Sequence, residues 1–545
     1  MNINIKTSIC VLAGALTLAW AVPAAGQTRN FRMGKWVEIE NAILKELDRS
    51  YVDSLPIDRM ERAGIDAKLS SLDPYTVYVP EEENEDFQMM IGKTYGGIGA
   101  VIYKPEKDGY LFVTEPYANC PAQKAGLVAG DEILSIDGVS TVGLETKECS
   151  DRMKGKPGTD VTFLVRRVRG GAEEKISVTR ERIHLPDVEY AGMVNDTTGY
   201  ILQTGFTENV SAAVREAVLS LKKQGMKLLV LDLRSNGGGL LSEAVNIVSL
   251  FVPKGSLVVS QKGKSIADNL EYRTSLDPID TETPIIVMVN GATASASEII
   301  SGAMQDYDRG TIMGRRTYGK GLVQSIRPLP YNGQMKVTTA KYYTPSGRCV
   351  QAIDYADRNE DGSVGHIPDS LTHEFKTAAG RIVRDGGGIT PDIEVPEQEY
   401  SRIVYSLVLG GIVEQYALDY VRRHDSIAPA DEFEFTDEDY KDFVAFAKDK
   451  KFDYRSSAKT LFDQMKKELE KDGIDDSVKS ELDALGKAID LDKEVFLNMK
   501  KSELVPFIEE EIIVRYYYQE AGIKRRLRYD TQLHEALKMY KPLGL

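Results

Sequence analysis

The sequence predicts a multi-domain α/β protein with a helical segment at each end. Two apolar runs in the middle of the chain, residues 228–233 and 284–290, lack polar alternation and are each followed by a helical pattern. Such runs are typical of buried strands in a parallel or mixed sheet flanked by helices. Residues 91–183 are rich in strand patterns. Residues 27–90 and 397–545 repeat apolar side chains at helical spacing, which predicts helical segments on both sides.

The composition is that of a globular protein. The chain has 545 residues, 42% hydrophobic and 28% charged, which is enough for three or four domains. Its net charge of −15 argues against nucleic acid as the main partner. Four cysteines are too few for a disulfide framework; Cys10 lies in the leader, so either one or all three of Cys120, Cys149 and Cys349 are unpaired within the chain. No Cys/His cluster has zinc spacing, so neither a metal nor a cofactor is predicted.

Residues 1–26 have the pattern of a secretory signal peptide. Lys6 precedes an apolar run over residues 8–22, and small residues follow at positions 24–26, where a signal peptidase would cut before Gln27. An uncleaved anchor is the alternative, but the run is shorter than the ~20 residues that a membrane span needs. We therefore expect an exported protein, periplasmic or otherwise outside the cytoplasm, without stable membrane insertion.

Residues 27–90 are predicted to be helical. The apolar residues at helical spacing are Trp36, Ile39, Ala42, Ile43, Leu47 and Val52. A turn at residues 72–76, Leu-Asp-Pro-Tyr-Thr, interrupts the pattern. The expected structure is a helical segment that packs on its neighbour and does not touch the chemistry.

Residues 91–183 contain a Gly-rich loop and a longer motif. The motif is A-x-x-A-G-L…G-D-x-I-L-x-I-D-G over residues 122–138. This stretch resembles a PDZ domain, which binds the C-terminal end of another chain as an added strand and holds its carboxylate in a backbone pocket. The candidate pocket is formed by Tyr95, Gly96, Gly97, Ile98 and Gly99, with Ile98 lining the site of the last side chain. The alternative is that the glycines only form a bulge or turn.

Residues 184–396 alternate strands and helices, which predicts a mixed α/β core. The loop Asp-Leu-Arg-Ser-Asn-Gly-Gly-Gly, residues 232–239, follows one buried strand. A phosphate-binding loop is a poor alternative, because Leu240 and Leu241 stand where Lys and Ser or Thr are needed. The pair Asp232 and Arg234 fits a structural ion pair.

The second apolar run leads into a small-residue turn that contains Ser295. A helix is predicted from Ala296 to Gln305, which places Ser295 at a strand-to-helix turn. Lys320 follows 25 residues later between two glycines. A serine hydroxyl becomes a nucleophile when a base takes its proton, and a lysine can be that base when burial disfavours its charge. The alternative is that Ser295 and Glu298 form only a helix-capping box.

These residues closely resemble the active-site signature of the carboxyl-terminal processing peptidases, also called tail-specific proteases. The resemblance implies that Ser295 is the nucleophile, Lys320 the base and Gln324 its assistant. It also implies that the N–H groups of Gly238 and Ala296 form the oxyanion hole. The resemblance runs from about residue 46 to residue 396.

The chain departs from the family pattern near residues 354–385, where an insertion intervenes. Residues 357–363 resemble the start of a calcium loop, but Pro368 replaces the bidentate glutamate, so an acidic turn is expected. The helical tail that follows carries two apolar stripes, at Leu461, Phe462, Met465 and Leu469 and at Leu504, Phe507, Ile508, Ile512 and Ile513. A basic patch at residues 524–528 is expected to pair with local acids.

Two functions follow from these motifs. The first is an exported serine endopeptidase that recognises the C-terminal tail of protein substrates through a PDZ domain and cuts them with a Ser-Lys dyad. None of the five histidines lies in a triad-like context, which disfavours a Ser-His-Asp enzyme. The second is a catalytically silent PDZ scaffold that binds C-terminal peptides. An adaptor protein and a homodimer are left open.

Overall fold

A computed structural model describes residues 28–540, apart from residues 85, 86, 88, 90, 91, 359–362, 453–455 and 475. The predicted signal peptide and most of the calcium-like turn lie outside the described residues. The chain divides into two units, one ending at Ser71 and the other beginning at Leu72. The segment predicted as helical over residues 27–90 is thus divided between them.

The first unit contains two helices, α1 (Arg29–Ser50) and α2 (Ile57–Ser70). Thr28 caps α1 by accepting a hydrogen bond from the backbone N–H of Phe31. None of the residues in either helix is buried, and Trp36 is 61% exposed. The helical spacing therefore predicted the secondary structure correctly, while its apolar side chains lie on an exposed surface of this unit.

The second unit begins with a strand and the strand-rich module. The elements are β1 (Val77–Val79), β2 (Thr94–Gly97), β3 (Ala100–Tyr103), β4 (Leu111–Pro116), α3 (Pro121–Lys124), β5 (Glu132–Ile136), β6 (Val139–Ser140), α4 (Thr146–Met153), β7 (Asp160–Arg166), β8 (Glu173–Thr179) and β9 (Glu181–His184). The module's sheet has the order β3-β4-β5-β7-β8, with β6 on β5, and β2 pairs with β9. Strand β3 is an edge strand, which leaves one side open for an added strand.

A six-stranded sheet forms the centre of the α/β core, as predicted. Its elements are β10 (Val188–Met193), β11 (Thr198–Gln203), α5 (Val210–Lys223), β12 (Leu228–Asp232), α6 (Leu241–Ser249), β15 (Ile285–Val289), α7 (Ala296–Asp306), β16 (Thr311–Gly314) and β23 (Ile393–Glu394). The strand order is β10-β11-β12-β15-β16-β23, parallel except for β10. Every residue of β12 and β15 is buried, which explains their unbroken apolar sequences.

A second sheet covers the other side of α7. Its strands are β1, β13 (Leu257–Gly263), β14 (Leu270–Arg273), β17 (Leu322–Pro328) and β18 (Gln334–Tyr343). The neighbouring strands β16 and β17 belong to different sheets, so the chain crosses from one sheet to the other at the Lys320 turn. The chain turns between them at Gly319, whose φ of +84° suits glycine.

All eleven residues of α7 are buried, so this helix is not amphipathic in its surroundings. Its polar side chains are therefore paired inside the core. Ser297 donates to the carbonyl of Asn236, and Asp306 forms an ion pair with the buried Arg348 at 2.8 Å. The sequence pattern predicted the helix correctly but not its complete burial.

The insertion and the C-terminal tail supply the remaining elements. The insertion forms β19 (Ile353–Arg358), β20 (Val364–His366), β21 (Glu374–Lys376) and β22 (Ile382–Arg384). The tail forms α8 (Arg402–Leu409), α9 (Ile412–Arg423), α10 (Asp437–Lys448), α11 (Ser457–Asp472), α12 (Lys479–Ile489), α13 (Lys493–Met499), α14 (Lys501–Arg526) and α15 (Thr531–Tyr540). No helix among the described residues is long and apolar enough to cross a bilayer.

The two predicted apolar stripes of the tail differ in burial. Leu504, Ile508, Ile512 and Ile513 are fully buried and form the centre of the helical domain. In the other stripe Leu461 is 64% exposed, and Phe462 is the buried member. The basic patch pairs with acids as expected: Arg525 pairs with Glu509, and Lys524 with Asp431.

Candidate active site

Ser295 lies where the central strand β15 has ended and α7 begins. Its backbone has φ 59° and ψ −115°, a conformation that is strained for a residue with a side chain. Among the described residues, no acceptor pairs with the N–H of Ala296, the first residue of the helix. A free N–H at a helix N-terminus is suited to bind a developing negative charge.

Glu298 connects the Ser295 turn to the Lys320 turn. Its carboxylate is fully buried and accepts four hydrogen bonds. One oxygen accepts from the backbone N–H groups of Ser295 and Lys320 at 2.8 and 2.9 Å. The other accepts from the N–H of Gly319 at 2.7 Å and the hydroxyl of Thr317 at 2.6 Å. Two positions 25 residues apart in sequence are thereby fixed by one side chain.

The sequence pattern assigned Glu298 only to a capping box. That box is present, and in it Glu298 accepts from the N–H of Ser295. The three further donors come from residues 317–320, which a local motif cannot reveal. Burial raises the pKa of Glu298, while its hydrogen bonds act in the opposite direction. Four donors and two acceptor oxygens match an ionised carboxylate.

The side chain of Lys320 is largely buried and has a depressed pKa. Burial is the main cause and lowers the pKa to about 8, with the charge of Lys336 acting in the same direction. Glu298 and Asp73 act to raise it. The ammonium nitrogen lies 4.4 Å from the ring centroid of Tyr75. Within the described part of the chain, no hydrogen bond joins this nitrogen to Ser295.

The contact with Tyr75 contradicts one expectation. The turn over residues 72–76 was predicted to stay away from the chemistry, but it lies against the second sheet, where β1 pairs with β18. Asp73 holds the turn by accepting from the backbone N–H groups of Tyr75 and Thr76, both at 2.8 Å. No local pattern predicts this contact, because it depends on strand pairing across about 260 residues of chain.

Gln324 lies on β17, in the sheet that follows the Lys320 turn. Its side-chain amide donates to the hydroxyl of Thr338 at 3.2 Å. That hydroxyl lies 3.5 Å from the hydroxyl of Thr76. Gln324 is therefore linked to the same turn that carries Tyr75, and its predicted assistance to Lys320 stays a prediction.

The loop after β12 brings Gly238 against Ser295. A Cβ atom on Gly238 would lie 2.8 Å from the Cβ of Ser295 and 2.9 Å from the nitrogen of Ala296. Only glycine fits this approach, and its φ of +95° also favours glycine. The N–H of Gly238 donates to the side-chain oxygen of Asn236 at 2.9 Å. An oxyanion at Ser295 would have to share this N–H group with Asn236 or replace Asn236 as its acceptor.

Arg234 anchors this loop to the C-terminal helical domain. Its guanidinium bonds to Asp232 at the end of β12, to Asp530 and, at 2.9 Å, to Gln532. Burial acts to raise the pKa of Asp530. The hydrogen bond and the positive charge of Arg234 outweigh this effect, so the pKa of Asp530 lies below its ordinary value. Asp232 also accepts from the hydroxyl of Tyr200. The expected pair of Asp232 and Arg234 is confirmed, within a larger network that the sequence did not predict.

We expect Asp530→Ala to lower kcat/KM by roughly 10–100-fold, because Arg234 then loses a buried partner and the loop to Gly238 loosens. Steady-state cleavage of a peptide measures this. Asp431→Ala is the matched control, since Asp431 also pairs with basic residues of the helical domain but at the surface. Equal activity of the two variants would show that the anchor does not matter for the loop.

The predicted peptide-binding loop spans the end of β2 and the residues just after it. Tyr95, Gly96 and Gly97 belong to β2, and Ile98 is buried in the module's core. Gly99 has φ +72° and is packed against Cys120. A cavity of about 480 Å³ lies next to the edge strand β3; its lining includes Ile102 of β3 and Ser150 and Asp151 of α4, but none of residues 95–99. The contribution of α4 was not predicted from the sequence.

The described residues contain no cluster of three or more His, Cys, Asp or Glu side chains arranged to hold a metal ion. Cys120, Cys149 and Cys349 are all free thiols. Burial raises the pKa of each, which disfavours the reactive thiolate.

Three family models match the chain. The model of peptidase family S41 matches residues 197–357, which include Ser295 and Lys320. A PDZ domain model matches residues 112–167. A model described as the C-terminal helical domain of probable PDZ-proteases matches residues 403–540. The order of these matches follows the order of the modules in the structure.

Similar proteins carry related names. A carboxy-terminal-processing protease of Bartonella bacilliformis is 34% identical over 356 residues, which are 64% of this chain and 81% of that protein. A probable CtpA-like serine protease of Staphylococcus aureus is 36% identical over 57% of this chain and 62% of its own length. A solved photosystem II D1 C-terminal processing protease has 27% identity and a TM-score of 0.36, covering 66% of this chain and 86% of that one. With its α/β core and strand-rich module, the chain belongs to peptidase family S41 and is a serine-type peptidase of the carboxy-terminal-processing group.

Proposed function

We propose that the protein is an exported endopeptidase that binds the C-terminal tail of a protein substrate in its PDZ domain and cuts the substrate with a dyad of Ser295 and Lys320. The observation that supports this most strongly is the shared carboxylate of Glu298, which holds both backbone turns. A dyad needs its two members on turns that stay together, and this one buried side chain provides the link.

The chemistry follows from the protonation of Lys320. The neutral amine takes the proton of the Ser295 hydroxyl as the oxygen attacks the scissile carbonyl, and an acyl-enzyme forms. The amine leaving group takes a proton back, and water then attacks the ester with Lys320 again acting as the base. The N–H of Ala296 is positioned to bind the oxyanion, joined by that of Gly238 if Asn236 releases it. Losing one such donor typically lowers the rate on the order of 10²–10³-fold.

Burial makes this mechanism workable near neutral pH. With a pKa of 10.5, roughly one lysine in a thousand would be neutral at pH 7.5. With the pKa lowered to about 8, about a quarter is neutral. We expect kcat/KM to rise with pH and to level off above about 8. A profile that instead follows an unperturbed histidine near 6.5 would contradict a lysine base.

The PDZ part of the proposal rests on the open edge of β3 and the groove beside α4. An extended tail can pair with β3 as an added strand while its side chains enter the groove. The bound tail would tether the rest of the substrate near Ser295 and raise its local concentration. A single clip and complete degradation are both compatible with this arrangement.

The test is cleavage of an unfolded substrate with an apolar C-terminus by wild-type protein and by Ser295→Ala. We expect the wild type to cleave at pH 9 and the variant to bind the tail peptide with unchanged affinity, measured by fluorescence anisotropy, without cleaving. Binding without cleavage by the wild type would favour the catalytically silent scaffold instead.

A further inference from the structure

Three tyrosines meet beside Lys320, and the ring of one of them, Tyr75, faces its ammonium group. Tyr75 lies in this turn, Tyr318 precedes Lys320 in its own turn, and Tyr355 lies on β19 of the insertion. The hydroxyl of Tyr75 is 3.5 Å from that of Tyr318 and 3.3 Å from that of Tyr355. The rings of Tyr75 and Tyr355 meet edge to face at 6.0 Å. We call these three residues the tyrosine cluster.

The cluster fixes the ring of Tyr75 from several sides. The Asp73 turn holds its backbone, and Tyr318 and Tyr355 hold its hydroxyl. A ring fixed in this way presents a constant face to its neighbour. That neighbour is the ammonium group of Lys320, 4.4 Å from the ring centroid. Within the described part of the chain, no carboxylate lies within ion-pair distance of this group.

A ring face attracts a cation but not a neutral amine, because the attraction is between the positive charge and the ring quadrupole. The contact therefore stabilises the protonated form of Lys320 in a position where it faces the Tyr75 ring and makes no hydrogen bond to Ser295. Deprotonation removes the attraction and frees the amine to reach the hydroxyl. The effect is stronger in a partly buried site than in water.

We propose that Tyr75 is a positioning residue for Lys320, whose ring holds the ammonium form of the lysine in a resting position apart from Ser295. This inference rests on the proposed function, since it assigns a role relative to the base of that reaction. It also gives the insertion a role, because Tyr355 is the residue against which Tyr75 packs.

Three other charged groups act on the pKa of Lys320. Lys336 on β18 repels its charge, while Glu298 on α7 and Asp73 in the same turn as Tyr75 favour it. Glu298 is fully occupied by four donors, and Asp73 by the N–H groups and hydroxyl of its own turn. Substitution at position 75 can keep all three of these groups in place, so its effect on the pH profile reports the ring.

The experiment places phenylalanine and then mono-, di- and trifluorinated phenylalanine at position 75. Fluorine withdraws charge from the ring face while the ring keeps nearly the same shape, so folding is preserved. The rising part of the pH profile of kcat/KM, which we call the alkaline limb, reports the pKa of Lys320. We expect this limb to move stepwise to lower pH, by roughly 0.5–1 unit across the series. Activity at pH 7 would therefore rise severalfold between Tyr75→Phe and the trifluorinated protein. Tyr75→Leu, which keeps apolar bulk without a ring face, should move the limb in the same direction.

The same analogues at Tyr331, which is 93% exposed, are the matched control and should leave the limb unchanged. A limb that stays fixed or moves to higher pH across the position-75 series, in proteins that still cleave, would overturn the inference alone. If Ser295→Ala or Lys320→Ala cleaved at the normal rate, the proposed function itself would fall, and the inference with it.

Discussion

Lys320→Ala is expected to lower kcat/KM by on the order of 10²–10⁴ or more at every pH and to remove the alkaline limb. The reason is that, among the residues that the structure describes, no other free base is found at Ser295: the carboxylate of Glu298 is occupied by four donors, and no histidine contacts the site. Steady-state cleavage of a fluorescence-quenched peptide, followed between pH 6 and 10, measures both effects. Binding of the C-terminal tail should be unchanged, because the groove beside β3 does not include Lys320.

Lys336→Met is the matched control for this substitution. Lys336 is a second partly buried lysine, and burial lowers its pKa as well. Its charge helps to depress the pKa of Lys320. Removing it should leave the enzyme active while moving the limb to higher pH. If Lys336→Met were as inactive as Lys320→Ala, the loss of either lysine would reflect damage to the sheet, and the assignment of Lys320 as the base would fail.

Glu298→Gln is expected to be the second most damaging change, with kcat lower by on the order of 10²-fold. The amide replaces one acceptor oxygen with an N–H₂ group that faces donors. Either the shared contact of Ser295 and Lys320 or the contacts of Gly319 and Thr317 are then lost. Each unpaired buried donor costs about 1–3 kcal/mol, so the free energy of unfolding should fall as well. Kinetics and chemical denaturation of the same preparation measure the two effects.

Glu243→Gln provides the control for burial. Glu243 is also a buried glutamate at the start of a core helix, and its carboxylate accepts one hydrogen bond, from the N–H of Ser211. We expect this variant to lose little activity. A Glu298→Gln enzyme with normal kcat would show that the two turns stay together without the shared carboxylate, and the main support for the dyad would be removed.

Much of the secondary structure could be predicted from the sequence, because it depends on local patterns. The unbroken apolar runs at β12 and β15 predicted buried strands, since a strand covered on both faces has no exposed positions. The helix after Ser295 was predicted from its cap and spacing. A periodic pattern does not indicate, however, which sheet a strand joins, and the neighbouring strands β16 and β17 belong to different sheets.

The residue types and their spacing determined, without the structure, where to look for a serine, a lysine and a glycine of suitable chemistry. Only the tertiary structure decided what surrounds them. Glu298 reaches across to the Lys320 turn, Tyr75 faces the amine, and Asp530, just before α15, anchors Arg234. The physical reason is that a motif records neighbours along the chain, whereas burial, charge and pKa depend on neighbours in space, which strand pairing and helix packing bring from hundreds of residues away.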